Sequence, residues 1–100
     1  MEIQEIIKRI NYFRNIKNMS ARALSDAIDK SENYINRLEN AGFNLPVTVL
    51  LDIITVLEIT PEEFFSSNFQ TYKNDNELYN LIKDMPQDKK QSLINFIKHI

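Results

Sequence analysis

The chain has no cysteine, one glycine, three prolines and a single histidine among its 100 residues. The missing cysteines exclude a disulfide scaffold, a thiolate zinc site and a cysteine nucleophile, and they fit a reducing cytoplasm. The lone histidine, His99, leaves little for metal or acid–base chemistry, and no nucleophile–base pair, ligand set or phosphate-cradling loop can be assembled. No enzymatic activity, cofactor, metal or small-molecule ligand is therefore expected. Long apolar runs are missing as well: Val47 to Ile59 is broken by Thr48, Asp52, Thr55 and Glu58. The start, Met1-Glu2-Ile3-Gln4-Glu5, holds acids where a signal peptide holds bases. Neither a membrane span nor a secretion signal is expected, and the expected location is cytoplasmic. Finally, no sign of charge dominates, since 12 basic and 14 acidic side chains leave a formal net charge of −2.

What is present is 43% apolar residues recurring at spacings of three and four, with few helix breakers between them, which is an all-α pattern. Ile3, Ile6, Ile7, Ile10 and Phe13 form one stripe with Lys8, Arg9, Asn11 and Arg14 off it, so a first amphipathic helix is expected over about 3–17, ended by Asn18 and Met19. Ser20 is placed to cap a short second helix running to Ile28, with Ala23, Leu24, Ala27 and Ile28 inward. After the brief Asp29-Lys30 connection, Ser31 can cap a third helix over 32–40 with Ile35 and Leu38 inward. Ala41 to Leu45 is a loop, and Pro46 precedes a fourth helix over 47–58 whose Leu50, Leu51, Ile53, Ile54 and Leu57 make it the most buried. Thr60-Pro61-Glu62-Glu63 reads as the start of a fifth, carrying Phe64 and Phe65 into the core.

The compact part is expected to occupy residues 1–66, followed by a polar linker over 67–76 and a C-terminal helical segment over 77–100. In that last segment Leu78, Leu81, Ile82 and Met85 form one stripe, and Leu93, Ile94, Phe96, Ile97 and Ile100 another, on two short helices with too little surface for a core of their own. A 100-residue chain buries only about 60–68% of its unfolded surface. The two stripes therefore either pair with a second copy, making a homodimer through Leu78, Leu81, Ile82, Met85, Leu93, Phe96, Ile97 and Ile100, or fold back on the first domain.

The informative spacing lies in residues 20–40. A tight connection between two short helices forces a steep crossing, which needs a small side chain at the contact (Ser25), apolar groups on both inner faces (Leu24, Ile28, Ile35, Leu38) and a turn residue tolerant of positive φ (Asp29). Glu32, Asn33, Tyr34, Asn36 and Arg37 remain outward, a run of hydrogen-bonding groups suited to base edges.

These residues resemble the Cro and phage-repressor type, or Xre, family of helix-turn-helix regulators. The resemblance covers residues 6–65: Ile6-x-x-Arg9-Ile10-x-x-Phe13-Arg14, Met19-Ser20, Leu24-Ser25-x-x-Ile28, Tyr34-Ile35-Asn36-x-Leu38-Glu39-Asn40, Leu50-Leu51-x-Ile53 and Ile59-Thr60-Pro61-Glu62-Glu63-Phe64-Phe65. It implies a five-helix repressor-type helix-turn-helix domain whose third helix enters the major groove of double-stranded DNA. Glu32, Asn33 and Arg37, with Asn36, would then face bases, and Ser20, Arg22, Lys30, Ser31, Tyr34 and Asn40 would face phosphates. It also implies that Arg14 and Glu39 form a structural ion pair between the first and third helices. The chain departs from the family pattern at Asp29, where glycine is usual, and at Ala21, where a glutamine often donates to phosphate; Ala41 also separates the usual Asn-Gly pair. The loss at Ala21 bears on affinity rather than fold.

Blander readings stand beside these. Glu32 either accepts from a base or merely favours the positive end of its helix while repelling phosphate, and Tyr34 either meets a phosphate or is an ordinary surface tyrosine. Residues 1–43 sum to +1 and residues 44–100 to −3, so weak non-specific affinity and a shallow salt dependence are expected of a DNA binder. The function expected is a sequence-specific, homodimeric transcriptional regulator, a repressor. The competing reading is a helix-turn-helix-shaped protein-interaction module, antitoxin-like or an anti-regulator, with weak or no DNA binding.

Overall fold

The computed structural model describes residues 1–100 as seven α-helices without a strand, divided between two compact units, Met1–Phe65 and Ser66–Ile100. No helix is long and apolar enough to cross a membrane.

In the first unit, α1 (Ile3–Ile16) buries Ile10 and Phe13 and half-buries Ile3, Ile6 and Ile7, as the stripe requires. Arg9, expected on the outer face, is buried instead, because its guanidinium Nη1 donates to the Phe64 carbonyl at 2.7 Å and its Nε lies 3.6 Å from Glu5. The charge is tolerable there because it is hydrogen-bonded and paired, and it ties the first helix to the last of the unit. Helix α2 (Ala21–Ala27) is capped by Ser20, whose Oγ accepts from the Ala23 N–H at 3.0 Å. Its inner face is Leu24, Ser25 and Ile28; Ala23 and Ala27, expected inward, are exposed, so the buried stripe of this two-turn helix is narrower than its run of small residues suggests.

Helix α3 (Tyr34–Ala41) buries Ile35 and Leu38 but begins two residues later than expected, and Ser31 does not cap it with its side chain. The reason is tertiary. The Ile35 N–H, which would close the first turn of a helix starting at Glu32, donates instead to Ser25 Oγ at 3.0 Å, and the preceding residues form a turn closed by the Tyr34 N–H on the Ser31 carbonyl at 3.0 Å. Gly42 ends α3 in the left-handed region at φ 62°; an added Cβ there would make only an ordinary 3.8 Å contact with Ile7, so backbone conformation rather than space calls for glycine.

Helix α4 (Val47–Val56) buries Val49, Leu50, Ile53 and Ile54, more than any other helix, with Leu57 buried just beyond its end. Leu51, expected in the core, is exposed, so the buried face is one stripe shared with Val49 rather than a full wrap. Helix α5 (Pro61–Phe64) starts on a complete capping box: Thr60 Oγ1 accepts from the Glu63 N–H at 3.1 Å, and Glu63 accepts from the Thr60 N–H at 3.3 Å. Phe64 is fully buried, with its ring 5.9 Å from that of Phe13, whereas Phe65, also expected in the core, is exposed.

The second unit holds α6 (Phe69–Ile82) and α7 (Gln87–Lys98). Most of the expected linker is therefore helix. Asn68 starts it by accepting from the Thr71 N–H at 3.0 Å, and Phe69 stacks on Tyr72 with rings 6.1 Å apart while Lys73 lies 5.4 Å above the Phe69 ring. These are pairings at i+3 and i+4, the spacing at which residues on a helix meet, and they let a polar segment hold helical form. Neither helix buries a residue: Ile82, Met85 and Leu93 are half-buried, and Leu78, Leu81, Phe96, Ile97 and Ile100 are exposed.

Candidate nucleic-acid interface

The corner between α2 and α3 is fixed from three sides. First, α2 ends in a Schellman turn, with the Asp29 N–H on the Asp26 carbonyl at 3.1 Å, the Lys30 N–H on the Ser25 carbonyl at 3.0 Å, and Asp29 at φ 59°. Second, the fully buried Ser25 hydroxyl donates to the Ala21 carbonyl at 2.8 Å and accepts from Ile35, so one side chain fastens both helices. The requirement for a small residue here is thus met by a small polar one, which satisfies a backbone donor that alanine would leave orphaned. Third, Arg14 grips Glu39 with its Nη2 at 2.9 and 3.0 Å from the two carboxylate oxygens, while its Nη1 donates to the Met19 carbonyl at 2.9 Å. The pair is mostly buried and joins α1 to α3, and Asn11 adds a 2.9 Å bond to the same carboxylate.

On this rigid corner seven of the ten side chains singled out from sequence fall into three groups. Arg22 and Glu32 meet in an ion pair at 3.1 Å between α2 and the turn before α3, with both side chains more than half exposed. Glu32 is accordingly a partnered carboxylate. Asn36 and Asn40, one turn apart on α3, share a 2.9 Å hydrogen bond in which Asn40 Nδ2 donates. Lys30, Tyr34 and Arg37 gather about an aromatic pair: Tyr34 meets Phe43 edge-to-face at 5.2 Å and 76°, the Lys30 ammonium lies 5.4 Å from the Tyr34 ring centre, and the Arg37 guanidinium lies 5.8 Å from that of Phe43. Burial raises the Tyr34 phenol above its ordinary range. Ser31 and Asn33 are exposed in the turn, and Ser20 serves as the α2 cap. The eight dimerisation candidates, on α6, on α7 and at Met85 and Ile100 beside them, belong to the other unit.

Phe43 is the member that the sequence did not reveal. It reads there only as part of a loop, yet it follows the single glycine, whose left-handed backbone turns the chain at the end of α3. An aromatic directly after a glycine helix stop was the signal available.

The helix-turn-helix family model matches residues 10–64 of the chain. No curated protein and no solved structure matches it.

Proposed function

The chain belongs to the Cro/Xre-type helix-turn-helix family of DNA-binding regulators, and from that premise we propose that it is a sequence-specific repressor that binds its operator as a homodimer. The observation that carries the reading is the exposed run Glu32, Asn33, Asn36, Arg37 on and just before a helix whose inner face is locked by Ser25, Arg14 and Glu39. Rigid presentation of hydrogen-bonding groups is what major-groove readout needs. Arg37 suits the O6 and N7 of guanine, Asn33 and Asn36 suit the N6 and N7 of adenine, and Glu32 accepts from a cytosine amino group. Ser20, Arg22, Lys30, Ser31, Tyr34 and Asn40 hold the register on phosphates. Repression then requires only occupancy of the site. Dimerisation through Leu78, Leu81, Ile82, Met85, Leu93, Phe96, Ile97 and Ile100 is supported by their residual exposure on a unit without a buried residue, and a two-fold pair would set its recognition helices about 34 Å apart.

The Arg22–Glu32 pair, with Ala21 in place of a phosphate-binding side chain, favours a second reading, in which the same corner binds another protein. Selection of bound sequences from random duplex DNA separates the two. An enriched inverted motif, altered at defined positions by Arg37→Ala and by Asn33→Ala, is the expected result; no enrichment even at low salt would overturn the DNA reading and promote the protein-binding one.

A further inference from the structure

We infer that Phe43 is a specificity-determining positioning residue, which holds the Arg37 guanidinium ready for a guanine edge. The inference rests on the DNA reading above and adds to it a residue outside the helix-turn-helix corner. Arg37 is exposed on α3 and, free in solvent, its long side chain samples many rotamers that must be frozen on binding. The guanidinium instead lies over the Phe43 ring, 5.8 Å from its centre, within the range at which a cation is attracted to an aromatic face. Phe43 is itself held: it is half-buried, follows the left-handed Gly42 that stops α3, and packs edge-to-face on Tyr34, which carries Lys30 on its own ring. The arrangement is a rank of cation, ring, ring and cation spanning the turn, α3 and the loop after it. A guanidinium drawn to one ring face has fewer rotamers left to freeze on binding, and its N–H donors stay available to meet O6 and N7 together. Lys30, at the other end, is a compact ammonium suited to a phosphate, so the rank presents one group for a base and one for the backbone.

The test measures the affinity of the full chain for its selected duplex and for an unrelated one, in the unaltered protein and in Phe43→Leu, Phe43→Tyr, Arg37→Ala and the Arg37→Ala/Phe43→Leu pair, with thermal unfolding of each. Phe43→Leu is expected to weaken the selected duplex by about 2–5-fold while leaving the unrelated duplex and the salt slope unchanged. Phe43→Tyr is expected to restore the loss, and Phe43→Leu is expected to cost nothing further once Arg37 is alanine. Equal weakening on both duplexes, or an undiminished cost in the Arg37→Ala background, overturns the inference while leaving the DNA reading intact. Failure of the unaltered chain to select any duplex overturns that reading and this inference with it.

Discussion

At the residue scale the scarcity of glycine has a structural cost. Asn18, Asp29 and Glu58 all lie at φ between 55° and 59°, each just past the end of a helix, where the Schellman turn calls for left-handed backbone. Asparagine and aspartate visit that region readily, while glutamate gains no local hydrogen bond there and bears the steric penalty. Its one recompense is an ion pair with Lys17 at 3.0 Å, which its high exposure makes worth little. Glu58→Gly is therefore expected to raise the unfolding free energy by about 0.5–1 kcal/mol, and Asp29→Gly by less, both read by denaturant titration. A loss of stability in Glu58→Gly would show that the Lys17 pair outweighs the backbone strain. The opposite sign is expected at Ser25, where alanine strands the buried Ile35 N–H at a cost of about 1–3 kcal/mol. An unchanged melting curve for Ser25→Ala would mean that the Ile35 donor finds the Ser31 carbonyl instead and α3 gains a turn.

At the element scale, helix ends were legible where their chemistry is local. Thr60, Pro61 and Glu63 lie within four residues of one another, and the structure contains the capping box their order announces. Thr60→Ala is expected to cost about 1 kcal/mol, seen as a drop of about 4–8 °C in the melting midpoint of the first unit; an unaltered midpoint would show that Phe64 and Arg9 hold α5 without its cap. The Arg14–Glu39 pair was legible for another reason, since it follows from a family pattern that fixes which helices meet, while Leu24, Ile28, Ile35 and Leu38 were legible from the spacing of apolar groups on two short, steeply crossing helices. The start of α3 was not, because its first donor is claimed by Ser25 ten residues earlier, a bond that no local window contains. Nor was α6: its first eight residues are mostly polar, and what organises them is one asparagine cap and a Phe69–Tyr72 stack. Arg9 misled by composition, since a charged side chain is rarely fully buried unless a partner such as the Phe64 carbonyl awaits it. Phe43 misled by position, because the role of a loop residue depends on where the preceding turn aims it.

At the scale of the whole molecule, charge and apolar surface bear on the same question. The first unit carries seven basic and ten acidic side chains, a formal −3, and the second five basic and four acidic, a formal +1. The acids Asp52, Glu58, Glu62 and Glu63 fall on and around α4 and α5, so DNA affinity has to come from a few cations at the α2–α3 corner. On the proposed reading, with Arg22 and Lys30 as the phosphate-facing cations of each subunit, a bound dimer would neutralise about four phosphates, and log K is expected to fall with log salt at a slope of about −4. So small an electrostatic contribution would make a single subunit a weak binder, and the proposed pairing would raise affinity by meeting the second half-site at high effective concentration. Apolar side chains are available for it in the second unit, where Leu81 on α6, Phe96 on α7 and Ile100 just past α7 remain more than 65% exposed. Truncation after Ser67 is accordingly expected to give a monomer by sedimentation, with the thermal transition of the first unit retained, operator affinity reduced by about 10²–10⁴-fold and the salt slope halved to about −2. Should the shortened chain fail to fold, Leu81→Glu with Phe96→Glu in the full chain makes the same test, since both side chains are exposed and their charge penalises only a buried interface. A dimer that survives both changes would move the subunit contact to the first unit, where Ile16, Val47, Leu51 and Phe65 are among the exposed apolar groups left to make it.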